Sequence, residues 1–483
     1  MQYKWTVLTV TTVGVLMSGI DSRIVVIGIP QVAAALGADA EQAIWFTQAY
    51  IFGSTVSLLV VGRVSDMVGR VKIYTVGFSI FTVGSLLTSL SPSSNYVILF
   101  RILQGVGSAA LFANSAAIIT DSAPGNQLGL FLGINQVAFR AGAMLGLTLS
   151  GLILSVLDWR ALFYVNVPIG LFGTYWAHRR LKEVSKPDRG APMDWTGFVT
   201  FSACIVLFLL ALTFAAYGTF PVEWLVALVA VSVALLALFI RQERRVTHPL
   251  LDLKLLRIRE FTGGVVAQML NSLAWGAVIL LLSLYLQLVQ GYSPLQAGLA
   301  IIPFDVAFLA VGPLSGRLSD KYGHMPFTTA GLSIMSLSLL LMSSTTVSEP
   351  YVTLATYLVI FGAGVGLFSS PNMSSIMGSV PPAERGVASG VRATFFNIGY
   401  VLSFNVAILM MTLAVPYSVI TQVISASNPV NVVVDKALFA RGLDYAFQVS
   451  AVINAMAIAP SVLRGKRPVT YQKGELPLAV EPE

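Results

Sequence analysis

Several ionisable side chains lie inside long apolar stretches. Asp21 is in "MSGIDSRIVV", Arg101 in "ILFRILQG", Arg140 in "QVAFRAGA" and Asp305 in "IIPFDVAF". A charge in the hydrocarbon core of a bilayer costs about 2.5–3.5 kcal/mol on insertion scales, and charges retained there commonly bind substrate, carry protons or pair with one another. These four residues therefore predict a site that handles ions or protons inside a membrane.

The composition indicates a polytopic membrane protein. Of the 483 residues, 56% are hydrophobic and only 11% are charged, whereas soluble domains carry about 25% charged residues. The net charge of +7 comes from short basic runs between apolar stretches, which fits cytoplasmic loops better than nucleic-acid binding. The single cysteine and three scattered histidines argue against a disulfide framework and a metal cluster. We expect no metal and no cofactor.

The apolar stretches predict fourteen membrane helices of about 20 residues each. They are expected at 5–29, 43–61, 73–90, 96–120, 128–157, 161–177, 196–217, 222–240, 261–288, 294–314, 326–343, 351–371, 386–413 and 443–463. No cleavable signal peptide is evident. Lysine and arginine concentrate in the loops after even-numbered spans, which predicts that both termini lie in the cytoplasm. We expect the protein in the plasma membrane.

Two sequence runs occur twice. "GRVSDMVGRVK" at 62–72 is echoed by "GRLSDKYGHMP" at 316–326, and "GINQVAFRAG" at 133–142 aligns with "GVRATFFNIG" at 390–399. We therefore expect an all-α membrane protein with two six-helix halves, 1–190 and 261–463, plus two additional helices and a linker between them at 191–260 and a cytoplasmic tail at 464–483. In such repeats the substrate site lies between the halves near mid-bilayer.

Several motifs resemble the major facilitator superfamily. The run at 62–72 matches its loop signature, G-x-x-x-D-x-x-G-R-x-[RK], and "FRILQGVGSAA" at 100–110 is similar to its fourth-helix motif. The stretch "DWRALFYVNVPIG" at 158–170 and the span count resemble the fourteen-helix drug:proton antiporter branch, whose acidic first-helix motif places its aspartate on Asp21. The resemblance implies a proton-coupled exporter of small molecules in the lipid bilayer, which we expect to be monomeric. The loop signature falls on Gly62, Asp66, Gly69, Arg70 and Lys72.

The repeated loop run predicts a charge latch between the halves. Asp66 and Arg70 are four residues apart and share a face if the segment is helical, so Arg70 or Lys72 can meet a carboxylate or a helix end. The second copy keeps Asp320 but has His324 and Met325 where the basic pair would be, which predicts an asymmetric latch. The alternative is that these charges only direct membrane topology.

The antiporter motif on the fifth helix, G-x8-G-x3-G-P-x2-G-G, is matched only in part. Gly133, Gly142, Gly146 and Gly151 fit, but Leu147 replaces the proline, and Ser150 replaces the first closing glycine. The acidic first-helix motif also differs from the family pattern, because Arg23 stands two residues after Asp21 where the motif usually continues with Thr-Ile-Val. These departures leave a facilitator as an alternative to an antiporter.

Depth along the helices predicts that Asp21 and Arg101 interact. With about 1.5 Å of rise per residue, they lie about 12 Å and about 8 Å from the outer ends of their helices. Asp21 is the expected proton-binding carboxylate, with Arg101 stabilising its ionised form until the two separate; the alternative is a static ion pair. Arg23 is expected to face another way and to extend outward toward the interface.

Arg140 and Asp305 are expected in a central substrate cavity. They lie about 18 Å and about 17 Å into their helices, one in each half, and Gln268 and Asn271 are expected in the same cavity. The alternative is that they pair with each other or with these two amides. Arginines in the predicted spans outnumber aspartates, so an anionic or zwitterionic substrate competes with the lipophilic cations that acidic, aromatic cavities favour. The arginines are Arg23, Arg101, Arg140 and Arg392, and the aspartates are Asp21 and Asp305. A transport-inactive sensor is a further alternative. A membrane enzyme is disfavoured because no catalytic motif is present.

Overall fold

The computed structural model describes residues 3–122, 128–184, 194–217, 221–246, 254–380, 385–416, 419 and 435–465. These residues are almost entirely helical and contain no strand. The first helices are α1 (Tyr3–Leu36), α2 (Ala40–Val68), α3 (Arg70–Ser89), α4 (Ser94–Ser122), α5 (Leu128–Val156), α6 (Ala161–Tyr164), α7 (Asn166–Arg180), α8 (Trp195–Tyr217) and α9 (Val222–Glu243). The later ones are α10 (Arg259–Trp275), α11 (Val278–Leu284), α12 (Pro294–Tyr322), α13 (His324–Met342), α14 (Tyr351–Gly378), α15 (Arg385–Met411), α16 (Lys436–Met456) and α17 (Ile458–Leu463).

The predicted spans fall on these helices. Three spans are built from consecutive pieces: α6 with α7, α16 with α17, and α10 with α11 and the π-helical turn Tyr285–Val289. Within the described ranges, eleven helical segments are long and apolar enough to cross a membrane. The chain is therefore an all-helical, multi-pass membrane protein. Most of the long connection predicted at 414–442 lies outside the described residues.

The sequence repeat is also a backbone repeat. The helices α2 and α3 meet at Gly69, and α12 and α13 meet at Gly323, which occupy the same place in the two copies of the run. Their φ angles are +122° and +89°, a region that residues with a side chain rarely adopt. Both copies thus need glycine to turn sharply from one helix into the next.

Corresponding helices pack in the same pairs on both sides of the repeat. The pairs α1 with α5, α2 with α4 and α3 with α4 recur as α10 with α15, α12 with α14 and α13 with α14. The helices α8 and α9 pack on each other, and α8 also contacts α2 and α15. This pairing supports two related helical sets with α8 and α9 beside them.

The two sets are in close contact toward the end of the bundle that carries the α1–α2 turn at Gly37, which we call the Gly37 end; the opposite end is the Gly69 end. Here α5 packs on α12 so tightly that a Cβ on Gly151 would overlap the backbone of Leu295. Gln48 Nε2 of α2 donates a hydrogen bond to Asn405 Oδ1 of α15 at 3.2 Å. A buried hydrophobic cluster also joins both sets at this end.

Candidate transport site

Asp21 is the centre of a buried hydrogen-bond network within the first helical set. Its side chain is fully buried on α1. Oδ2 accepts a hydrogen bond from Arg101 Nη1 at 2.5 Å, while Oδ1 accepts from Gln104 Nε2 at 2.8 Å and Asn166 Nδ2 at 2.9 Å. Ser85 Oγ accepts from the same two amides. The predicted contact between Asp21 and Arg101 is confirmed, and the carboxylate is satisfied on both oxygens.

The guanidinium of Arg101 is held from several directions. Its Nε donates to the carbonyl oxygen of Phe46 at 2.8 Å, and its Cζ lies 4.5 Å from the ring centroid of Tyr50 and 5.7 Å from that of Phe163. Arg101 is completely buried, so its charge depends on these partners and on Asp21. The Asp21–Arg101 pair is therefore enclosed by groups from α1, α2, α4, α6 and α7, all of the first helical set.

Two glycines of the fifth-helix motif position Asp21. A Cβ on Gly142 would collide with the carbonyl oxygen of Leu16, and one on Gly146 with that of Ile20. These close approaches hold α1 against α5 in the turns that lead up to Asp21. Gly151 acts elsewhere, at the contact with α12, and Gly133 is exposed with open space around it.

Arg23 links the two helical sets. Its Nη1 lies 3.1 Å from both Oδ1 and Oδ2 of Asp305 on α12, with side chains 5% and 1% exposed. Its Cζ is also 5.5 Å from the ring centroid of Phe304. Arg23 does point away from the Asp21 network, as expected. The expectation that it extends outward to the interface is wrong, because Asp305 supplies a buried partner.

Arg140 lies among aromatic rings beside this pair. Its Cζ is 4.4 Å from the ring centroid of Phe308 and 5.7 Å from that of Trp275. Arg23 and Asp305 are its charged neighbours, but within the described part of the chain no carboxylate comes within 4.0 Å of its guanidinium. The alternative that Arg140 and Asp305 form an ion pair is therefore not what the structure has.

Gln268 and Asn271 are engaged elsewhere in the second set. Asn271 Nδ2 donates to Asn454 Oδ1 at 2.8 Å, and Gln268 Oε1 accepts from Asn372 Nδ2 at 3.3 Å. Asn372 Oδ1 in turn accepts from Arg464 Nη1 at 2.8 Å. Burial lowers the pKa of Arg464 to about 10, which leaves it protonated at neutral pH. The alternative pairing of these amides with Arg140 or Asp305 is wrong.

The loop run at 62–72 is fixed by carboxylates that the sequence interpretation missed. Arg70 Nη1 lies 2.7 Å from Asp121 Oδ1 and 2.9 Å from Oδ2 at the end of α4. Glu183 accepts from the backbone N–H groups of Arg70 and Val71 at 2.9 and 3.0 Å, where a negative charge is favoured at the start of α3. Arg70 does contact carboxylates, as predicted, but Asp121 and Glu183 both belong to the first half, so these contacts are not the predicted latch between the halves.

The side chains of Asp66 and Asp320 lie outside the described residues. His324 in the second copy has its Nδ1 3.4 Å from Ser319 Oγ. Asn166 and Ser85 were also missed, although an asparagine in the apolar run "FYVNVPIG" is a visible signal of a buried polar contact. Within the described ranges, no group of His, Cys, Asp and Glu could hold a metal ion.

Comparison with known proteins identifies the family of this chain and several similar transporters. Residues 11–404 match the family model of the Major Facilitator Superfamily. The chain is 33% identical to the riboflavin transporter RibZ of Clostridioides difficile over 83% of this chain and 87% of that protein. It is 30% identical to the multidrug resistance protein Stp of Mycobacterium tuberculosis, over 83% and 74% of the two chains. It is 26% identical to the tetracenomycin C resistance and export protein of Streptomyces glaucescens, over 82% and 73%.

A solved structure shows the same fold. The human organic anion transporter MFSD10 (TETRAN) aligns with a TM-score of 0.62 over 93% of this chain and 99% of that chain, at 14% sequence identity. That identity supports the fold alone. The family match and the curated relatives indicate a transporter rather than an enzyme, with a small molecule as substrate. The chain belongs to the Major Facilitator Superfamily.

Proposed function

We propose that this protein is a secondary active transporter that exports amphipathic small molecules in exchange for protons by alternating access. The observation that carries the proposal is the Asp21 carboxylate, which is buried inside the first helical set and bound by Arg101, Gln104 and Asn166. A buried carboxylate that can be charged with these donors or neutral without them is suited to binding and releasing a proton. Relatives named for multidrug resistance, tetracenomycin C export and riboflavin transport support a small organic substrate.

Each group has a role in this proposal. Asp21 binds the proton, and Arg101 stabilises the carboxylate when the proton is absent. Arg140 and Asp305 line the substrate cavity between the halves. Gln268 and Asn271 belong to its second-half wall, where Asn372 and Asn454 hold them. The loop run gates the Gly69 end through Gly62, Asp66, Gly69, Arg70, Lys72 and Asp320.

The topology belongs to the same proposal. Six-helix halves at 1–190 and 261–463 move as units around the cavity, as in other transporters built from repeats. The two helices at 191–260 make fourteen in all, and both termini face the cytoplasm.

A proton-release assay tests the proposal. Purified protein in weakly buffered detergent solution is mixed with a panel of cationic and anionic amphiphiles while the pH is recorded, and binding is measured in parallel. We expect a compound that binds to release protons from wild type and not from Asp21→Asn, which has nearly the same shape as the native residue. Asp158→Asn is the matched control, because Asp158 is exposed and pairs with Arg160 at the surface.

Two results of the proton-release assay would contradict the proposal. Proton release that persists in a folded Asp21→Asn variant would remove Asp21 as the proton site. Binding with no proton release by any compound would favour a facilitator or a transport-inactive sensor, in line with Leu147 in place of the motif proline.

A further inference from the structure

The surroundings of Arg140 have an unbalanced charge. The described cluster contains two arginines, Arg23 and Arg140, and one carboxylate, Asp305. Arg23 Nη1 contacts both carboxylate oxygens. Within the described residues Arg140 makes no ion pair and no side-chain hydrogen bond; its guanidinium lies against the rings of Phe308 and Trp275. A cation inside a membrane protein with no anionic partner is a candidate for binding one.

The same place has a continuous set of aromatic rings. Trp275 lies with its ring centroid 5.9 Å from that of Tyr400 and 6.5 Å from that of Phe396, and Phe396 and Tyr400 are 5.9 Å apart. These rings come from α10 and α15 of the second set, whereas Arg140 is on α5 of the first. A flat molecule at this level would therefore contact both sets at once.

A further arginine, Arg392, lies on the same face of α15 as Phe396 and Tyr400, closer to the Gly69 end. Arg392, Phe396 and Tyr400 are spaced four residues apart on α15, so they share one face. In the described part of the chain, Arg392 Nε is buried without a hydrogen-bond partner. Arg392 lies about 11 Å from the start of α15, one turn before Phe396. The positive charge thus extends from the aromatic cluster toward the Gly69 end.

We propose that the Arg140 cluster binds an aromatic anion: a substrate whose ring packs against Trp275, Phe396 and Tyr400 and whose carboxylate or sulfonate pairs with Arg140. This inference rests on the proposed transport function, because it names the class of molecule carried. A lipophilic cation would add to the positive excess, and a neutral ring would leave Arg140 without its ion partner. The inter-half pair Arg23–Asp305 keeps Asp305 engaged, so it does not compete for Arg140.

The test compares three compounds with one ring system and different charge: a naphthoate, the corresponding naphthamide and a naphthylmethylammonium ion. Binding to the full chain in lipid nanodiscs is measured by calorimetry at neutral pH. We expect wild type to bind the naphthoate at least about tenfold more tightly than the naphthamide, since a hydrogen bond to a charged group is worth about that factor. Arg140→Gln is expected to bring the two affinities together, and Arg140→Lys to keep part of the preference.

Arg160→Gln serves as the charge-matched control and is expected to keep the full preference, because Arg160 is exposed and pairs with Asp158. Equal or tighter binding of the amide or the ammonium ion, no binding of the naphthoate, or an unchanged preference in folded Arg140→Gln would overturn the inference. Proteoliposome uptake separates it from the proposed function. Naphthoate binding without gradient-driven transport contradicts only the function, whereas Asp21-dependent transport of the ammonium ion alone contradicts only the inference.

Discussion

Removing one charge of the Arg23–Asp305 pair is expected to destabilise the protein strongly. The two side chains are 5% and 1% exposed, and loss of one member of a buried ion pair costs about 3–5 kcal/mol because the other charge stays buried without its partner. Asp305→Asn leaves both Arg23 and Arg140 without the carboxylate and should cost this full amount. Arg23→Gln should cost less, because Asp305 then still has Arg140 as a cationic neighbour.

The measurement is a double-mutant cycle on the free energy of unfolding in mixed micelles with increasing sodium dodecyl sulfate. The double variant Arg23→Gln/Asp305→Asn should be more stable than the sum of the two single losses predicts, with a coupling energy of about 1–3 kcal/mol. The control cycle uses Arg160 and Asp158, whose side chains are 48% and 59% exposed. Their coupling should stay below about 1 kcal/mol.

The reasoning would be refuted by single losses that add without coupling, or by an Asp305→Asn loss as small as that of Asp158→Asn. Either result would mean that water or another group replaces the missing partner. A larger loss from Arg23→Gln than from Asp305→Asn would also contradict it, because the asymmetry follows directly from the position of Arg140.

Two further predictions concern the groups that hold the first helical set together. Gly142→Val should lower the free energy of unfolding by about 1–3 kcal/mol and weaken proton release, because any side chain there meets the Leu16 carbonyl; Gly133→Val, in open space, should change neither, and equal effects would contradict the packing argument. Glu183→Gln should cost about 0.5–2 kcal/mol by weakening the bonds to the first N–H groups of α3. Glu223→Gln on the exposed start of α9 is its control, and a loss no larger than the control's would exclude the capping role.

The helices were predictable from the sequence because each carries its own signal, a run of about 20 apolar residues. The contact between Asp21 and Arg101 was predictable for a related reason, since counting residues along two helices gives two depths that can be compared. The partner of Arg23 was not. A helical projection gives the direction of a side chain relative to its own helix, but Asp305 reaches it only because α12 packs across from α1, and that neighbour is 282 residues away in the chain.

The same limit explains the other misses. Asp121 and Glu183 both bind at Arg70, but nothing in the run at 62–72 identifies carboxylates at the end of α4 and after α7 as its partners. Gln268 and Asn271 were expected in the same cavity as Arg140 and Asp305, but the sequence does not say which of several polar neighbours an amide contacts. Gly133 fitted a motif by spacing and lies in open space, whereas Gly142 and Gly146 fitted and do pack closely.

The positions of Asp21 and Arg23 suggest how proton binding and movement of the halves are connected. Asp21 is bound entirely by the first helical set, so rigid-body movement of the two sets leaves its contacts intact. Arg23 is bound by the second set, so the same movement must separate it from Asp305. The two residues are two positions apart on α1, and glycines hold that stretch of α1 tightly against α5. We infer that a shift of α1 which loosens Asp21 from Arg101 also changes the position of Arg23 toward Asp305. Asp21→Asn should therefore alter the thermal stability of wild type more than it alters that of the Arg23→Gln/Asp305→Asn variant, and equal shifts in the two backgrounds would show that the two charged centres act independently.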